Sequence, residues 1–116
     1  MTDLLEPERF GTLSIFFPMW NEAEYIHRAI RAAKEICDWL VDQGEIADYE
    51  LIVVNDASTD DTGRLADELA QVDRHVRAVH HPVNRKLGGS IKSGLAAAKG
   101  DLVLYTDADL PFEMIE

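Results

Sequence analysis

Leu51-Ile52-Val53-Val54, running directly into Asn55-Asp56-Ala57-Ser58-Thr59-Asp60-Asp61-Thr62, is the stretch whose reading decides the fold. Four consecutive apolar residues read as a strand. The polar segment after them reads as a helix start, because the Ser58 hydroxyl and the Asp61 carboxylate stand at capping-box spacing. Leu65, Leu69 and Val72 follow at helical steps as an inward face. Three further apolar runs carry the same message: Leu13 to Phe17, Val76 to His80 and Leu102 to Tyr105, the last read as a buried strand.

Helical periodicity fills the gaps between these runs. Ile26, Ala29, Ile30, Ala33, Ile36, Cys37, Leu40 and Val41 recur at three- and four-residue steps, and Gly44 closes that helix. Asn21 is the expected cap at its start. A third helix is expected to begin at Gly88-Gly89-Ser90, to carry Ile91, Leu95 and Ala98 inward, and to end at Lys99-Gly100. The order is βαβαβαβ, which specifies a mainly parallel four-stranded α/β sheet with right-handed crossovers. Every strand then points the same way. The segments 18–22, 55–61, 81–89 and 106–111 therefore gather at the carboxyl edge, where open α/β sheets bind ligands. Residues 1–11 read as a polar lead-in and 12–116 as one folded unit.

Charge narrows the function classes. Eleven Lys and Arg stand against 22 Asp and Glu, a formal net charge of −11, which repels nucleic acid and anionic lipid surfaces. No apolar run approaches the roughly 20 residues that span a bilayer, and the start Met1-Thr2-Asp3-Leu4 lacks the basic and apolar regions of a signal peptide. A cytoplasmic location is expected, at most at the cytoplasmic face of a membrane. Cys37 is the single cysteine and reads as core filling. His27, His75, His80 and His81 have no metal-ligand spacing to the carboxylates and read as surface or packing residues.

The chemistry-bearing segment is Asp107-Ala108-Asp109, two carboxylates one residue apart at the end of a strand. Hard cations such as Mg²⁺ or Mn²⁺ take oxygen ligands and are commonly held by one or two carboxylates plus substrate phosphates. In isolation an Asp-x-Asp in a polar loop is more often a solvated turn. Asp56, just before the second helix, offers an acceptor to the N–H groups of a base or to a ribose hydroxyl. The segment Asn84-Arg85-Lys86-Leu87-Gly88-Gly89-Ser90 is basic and glycine-rich at a helix start, which suits a phosphate. Taken alone it reads as a loop with glycine punctuation.

Together these segments resemble the inverting glycosyltransferases of family 2, with the GT-A fold. Pro18 to Glu22 is similar to the family's Pro-x-x-Asn-Glu turn, and Asp56, Ser58, Asp60 and Thr62 to its Asp-x-Ser-x-Asp-x-Thr pattern. Asn84-Arg85 with Gly88, Gly89, Ser90 and Gly94 resembles its Asn-Arg-Gly-Lys-Gly-x-Ala segment, and Asp107-Ala108-Asp109-Leu110 its metal motif. The likeness runs from about Leu13 to Glu116 and is nearest in flavour to the polyprenyl-phosphate (dolichyl-phosphate mannosyl or glucosyl) sugar transferases. It implies a nucleotide-diphosphate sugar, UDP- or GDP-linked, as donor, and an acceptor such as a polyprenyl phosphate or a glycan. By the same resemblance Asp56 receives the base and Pro18 and Glu22 line the nucleoside pocket. Asp107 sits by ribose and metal, Asp109 is the main ligand of Mg²⁺ or Mn²⁺, and Arg85 or Lys92 assists.

Two departures qualify the likeness. Pro111 stands where relatives with this motif often place a Gln that adds a metal ligand. The sequence stops at Glu116, so the acceptor half is expected to be missing; with Glu113 and Glu116 terminal, no general base is nominated. Three functions remain open: the donor half of a sugar transferase, a nucleotide-sugar binding module without turnover, and a receiver-like Mg²⁺-binding signalling domain. The last expects paired acids after the first strand, where this chain has Pro18-Met19-Trp20. The resemblance also sets Leu102 to Tyr105 beside Leu13 to Phe17 with its other edge open, from which a homodimer through residues 102–105 is expected.

Overall fold

The structure is a computed structural model and describes residues 10–107. Its elements are β1 (Phe10–Met19), α1 (Ile26–Asp42), β2 (Ile46–Asn55), α2 (Thr62–Val72), β3 (Val76–His80), α3 (Lys86–Ala97) and β4 (Leu102–Tyr105). All four strands are parallel, in the order β3-β2-β1-β4. The expected alternation of strands and helices is what forms.

β2 is longer than its apolar run. Its first half is mixed, with Ile46 and Tyr49 buried, Ala47 exposed and Asp48 and Glu50 in between, whereas Leu51 to Asn55 are buried throughout. One strand is thus partly covered over its first half and fully covered over its second. The covering comes from both faces. α1 and α2 lie on a core of Leu13, Phe17, Ile30, Cys37, Leu51 and Val53. Across the sheet, Ile91, Ala97 and Ala98 of the α3 segment pack on Phe16, Ile52 and Val54. Cys37 is core filling as expected, and burial pushes its thiol up to about 11, which keeps it unreactive.

Several expected local features are corrected. α2 begins at Thr62 rather than near Ser58, with Asp61 at the N-cap and no side-chain capping bond. Its buried side is Thr62 and Ala66, and Val72 is 83% exposed where the helix runs past the sheet. α3 starts two residues before Gly88 and buries Ser90 and Gly94, while Leu95 is exposed. The cause is close approach: a Cβ at Gly94 would run into the Phe16 ring, so small residues define that face. Gly44, at φ 77°, ends α1 as expected. β4 pairs with β1 in the expected position, yet it is half-exposed rather than buried, with Leu104 and Tyr105 each 50% exposed. Among the described residues it is an edge strand, covered in part by stacking of Tyr105 on Phe16 at 5.5 Å.

This order places the site. Chain crossovers run one way from β1 through β2 to β3, then return past β1 to β4, so the winding reverses at β1. The crevice outside the carboxyl end of β1 is the switch point of the sheet.

Candidate functional site

A cleft of about 550 Å³ opens at that crevice. Pro18 and Trp20 line it from the end of β1, Asp56 from the end of β2, and Asn84, Lys86 and Leu87 from the loop entering α3. Strand register brings these together. Met19 pairs with Asn55, the Asp56 N–H donates to the Met19 carbonyl at 2.9 Å, and the His81 N–H donates to the Asn55 carbonyl at 2.9 Å. Each strand therefore ends level with its neighbour. On the other side the Thr106 N–H donates to the Phe16 carbonyl at 3.2 Å, so the β1–β4 register carries the exposed Asp107 to the level of Pro18.

Asp56 is the organising group. It is 4% exposed, and its Oδ1 accepts the Arg85 backbone N–H at 2.7 Å and the His81 Nδ1–H at 2.8 Å. Burial pushes the Asp56 carboxyl up, but the His81 hydrogen bond, the Arg85 N–H and the nearby imidazole outweigh it and hold the group below the usual carboxylate range. The site therefore presents an ionised, desolvated acceptor. His81 is buried with it, and its Nε2 lies 2.7 Å from the Ser93 Oγ. Asn84 fastens the facing loop, donating from Nδ2 to the Asp56 carbonyl at 3.1 Å and accepting the Lys86 N–H at 3.0 Å.

The loops after β1 and β2 are stitched to each other. Asn21 adopts φ 55°, and its Oδ1 accepts the backbone N–H groups of Thr59 at 2.8 Å and Asp60 at 3.3 Å. Its own N–H donates to the Ser58 Oγ at 3.0 Å, and the Glu22 N–H donates to the Thr62 Oγ1 at 2.8 Å. Asn21 and Ser58 thus tie two loops together instead of capping helices, which corrects both expected caps. α1 begins only at Ile26.

The remaining expected residues are placed as follows. Glu22 lies in the β1–α1 turn, half-buried, and is not among the residues lining the cleft. Arg85 reaches Asp56 through its backbone N–H, with its side chain exposed, and Lys92 is exposed on α3 outside the cleft lining. Asp109 lies outside the described residues, as do Pro111, Glu113 and Glu116. Sequence reasoning misses His81 and Ser93, and it marks Asn84 as part of a phosphate-suited segment without its bond to the Asp56 carbonyl. His81 was read as a surface or packing residue, whereas it is buried and bonded to Asp56. A signal existed: His81 follows the end of β3 as Asp56 follows the end of β2, and adjacent parallel strands set such positions side by side.

Residues 14–113 match the family described as Glycosyl transferase family 2. The chain belongs to that family. It is 31% identical over 102 residues to glycosyltransferase AglD of Haloferax volcanii, covering 88% of this chain and 16% of that protein. It is 34% identical over 106 residues to the undecaprenyl-phosphate 4-deoxy-4-formamido-L-arabinose transferase of Proteus mirabilis, covering 89% of this chain and 30% of that protein. The chain thus spans less than a third of the length of either relative. Among solved structures it is similar to the mannosyltransferase PcManGT of Pyrobaculum calidifontis, in complex with GDP-Man and Mn²⁺: TM-score 0.70, 27% identity, 91% of this chain and 32% of that one. S. aureus TarS (residues 1–349) shares the fold at TM-score 0.69 and 23% identity, over 84% of this chain and 27% of that one. The fold is therefore GT-A, and the family 2 membership expected from Pro18–Glu22, Asp56–Thr62, Asn84–Gly94 and Asp107–Leu110 stands. A receiver-like signalling domain does not. No helix among the described residues is long and apolar enough to cross a membrane.

Proposed function

We propose that residues 12–116, together with the start of β1 at Phe10, are the donor-binding part of an inverting sugar transferase, with the residues before them as a lead-in. In this reading the chain holds a nucleotide-diphosphate sugar, UDP- or GDP-linked, for transfer to a polyprenyl phosphate or a glycan at the cytoplasmic face of a membrane. The observation that carries it is Asp56: an ionised carboxylate, buried, lining a cleft at the switch point of the sheet, positioned to accept an N–H from a base. Pro18 and Trp20 form the wall against the nucleoside, and Glu22 supports the turn that carries them. Arg85, exposed at the start of α3, and Lys92, exposed midway along it, supply positive charge on the diphosphate side. The polyprenyl-phosphate acceptor is supported by the named activity of the Proteus mirabilis relative. Acceptor binding and the general base are assigned to the greater length that such relatives have.

Asp107 offers a hard oxygen donor on the same edge, level with Pro18, and Mg²⁺ or Mn²⁺ suits such a donor. Asp107 and Asp109 would hold the ion, which when bound neutralises charge on the departing nucleotide diphosphate. Calorimetry of the 116-residue chain with UDP and GDP, with and without Mn²⁺, tests the reading. Mn²⁺ should tighten binding about tenfold, roughly the 1.4 kcal/mol that corresponds to one decade, and Asp109→Ala should abolish that gain. Binding indifferent to Mn²⁺ would remove the metal role.

Among the described residues β4 pairs on one side only, with β1, which supports association of two copies of the chain. Leu102 to Tyr105 carry no charge to oppose edge pairing, and among the described residues the outer N–H and C=O groups of β4 have no strand partner and could pair antiparallel with a second copy. Light scattering at micromolar concentration should give twice the 13.0 kDa mass of one chain. A monomeric mass would rule the pairing out.

A further inference from the structure

We infer that His81 sets the base preference of the cleft: with the Arg85 N–H it occupies one oxygen of Asp56, leaving a single carboxylate oxygen that suits uracil better than guanine. The inference rests on the nucleotide-binding reading above and goes on to name the base.

A carboxylate oxygen has two lone pairs. Both lone pairs of Asp56 Oδ1 are used, by the Arg85 N–H at 2.7 Å and the His81 Nδ1–H at 2.8 Å. Neither donor is free to leave. The Arg85 N–H is backbone, on a loop fastened by Asn84 to the Asp56 carbonyl at 3.1 Å. The His81 ring is held at its far side by the Ser93 Oγ at 2.7 Å. Both Asp56 and His81 are buried, so water is not at hand to replace a displaced donor.

Guanine presents a ring N–H beside an amino group, two parallel donors that a carboxylate meets best with both oxygens. Here one oxygen is already saturated, so a guanine amino hydrogen would lose its partner on entering the cleft. Uracil presents one N–H flanked by two carbonyl oxygens. The remaining Asp56 oxygen takes the N–H, and Lys86 on the cleft wall adds a cation to a site that receives two carbonyl oxygens. Cytosine and adenine turn a ring nitrogen lone pair toward the carboxylate, which is repulsive. Trp20, exposed at the cleft mouth, can stack on any base and does not discriminate.

The test is calorimetric titration of the 116-residue chain with UDP and with GDP in Mn²⁺, repeated on His81→Ala, His81→Asn and Ser93→Ala. UDP should bind at least about tenfold tighter than GDP, since a site left with an unpaired polar group rejects the wrong ligand strongly. His81→Ala should collapse that ratio toward one by freeing Oδ1. His81→Asn, whose amide N–H can stand where Nδ1–H stood, should restore it. If His81→Ala does not fold, Ser93→Ala serves in its place, since an untethered ring should narrow the ratio. GDP binding as tightly as UDP to the unaltered chain would overturn the base assignment while leaving nucleotide binding intact. Both nucleotides weakened equally by His81→Ala, with their ratio kept, would reduce His81 to a packing role and overturn the inference. Binding of neither nucleotide to the unaltered chain would overturn the donor-binding reading itself, and this inference with it.

Discussion

Glu50→Ala is expected to lower the unfolding free energy by about 3 kcal/mol, the lower end of the range for removing one partner of a buried ion pair, because this pair is only part-buried. Glu50 ties the sheet to the turn that leads into β4. Its Oε2 accepts the Ser14 hydroxyl at 2.6 Å and the Lys99 N–H at 2.7 Å, and its Oε1 accepts Arg77 Nε at 3.1 Å and Nη2 at 2.9 Å. The Ser14 Oγ in turn accepts the Gly100 N–H at 2.8 Å, and Arg77 Nη2 also donates to the Ala97 carbonyl at 2.5 Å. Alanine would strand the fully buried Ser14 hydroxyl and the Lys99 N–H together. The Arg77 side chain is about one-third exposed and recovers some hydration, which is why the lower end of the range applies. A melting-temperature drop of roughly 10–20 °C should accompany the loss in a chain of this size. Urea denaturation of both proteins decides it, and a loss below about 1 kcal/mol would mean that water replaces the network without penalty.

The same carboxylate fixes the acid side of the stability curve. Burial pushes the Glu50 carboxyl up, but the Ser14 hydroxyl, the Lys99 N–H and Arg77 together hold it below its ordinary 4.5. A group whose pKa is lower folded than unfolded adds stability that is complete above the unfolded value and is lost as pH falls through the folded one. Glu50 therefore contributes fully at neutral pH and begins to lose its contribution below about pH 4.5, its ordinary value. The acid-side slope of stability against pH should be shallower in Glu50→Ala than in the unaltered chain.

The strands were legible because apolar residues cluster at each of them: Leu51 to Val54 is unbroken, Leu13 to Phe17 is interrupted only by Ser14, and Val76 to His80 keeps Val76, Ala78 and Val79 around Arg77. Residues 46–50 were not, since Asp48 and Glu50 break the run while Ile46 and Tyr49 still face the core. Helix stripes named the right elements and then the wrong edges of them. Leu95 and Val72 are exposed because the close contacts are made by Gly94 against Phe16 and by the buried Ala66, and periodicity weighs a large apolar residue above a small one. Asn21 and Ser58 were misread for a related reason. A short polar side chain can cap its own helix or bond a neighbouring loop with equal ease, and only the fold sets residues 21 and 58 within 3.0 Å. Asp56 was found because a carboxylate at a strand end is conspicuous. His81 was passed over because its meaning lies in a pairing across 25 positions of sequence.

Asp56→Ala is expected to weaken nucleotide binding about a hundredfold, roughly 2.7 kcal/mol, near the upper limit for losing a hydrogen bond to a charged group. Among the described residues lining the cleft it is the one that unites an ionised acceptor with burial, so it meets a base N–H at low local dielectric, where such a bond is strongest. Alanine also strands the His81 Nδ1–H and the Arg85 N–H, which share its Oδ1. That second effect should lower stability by about 1–3 kcal/mol, and the two can be separated. Asp56→Asn keeps the size and one carbonyl oxygen able to accept both N–H groups, so it should regain much of the stability. Its amide NH₂ then replaces the oxygen left for the ligand and opposes a base N–H donor to donor, so binding should remain weak. Full recovery of UDP and GDP affinity in Asp56→Asn would mean that the base is held elsewhere along the cleft and that Asp56 serves only to pin His81 and the loop entering α3.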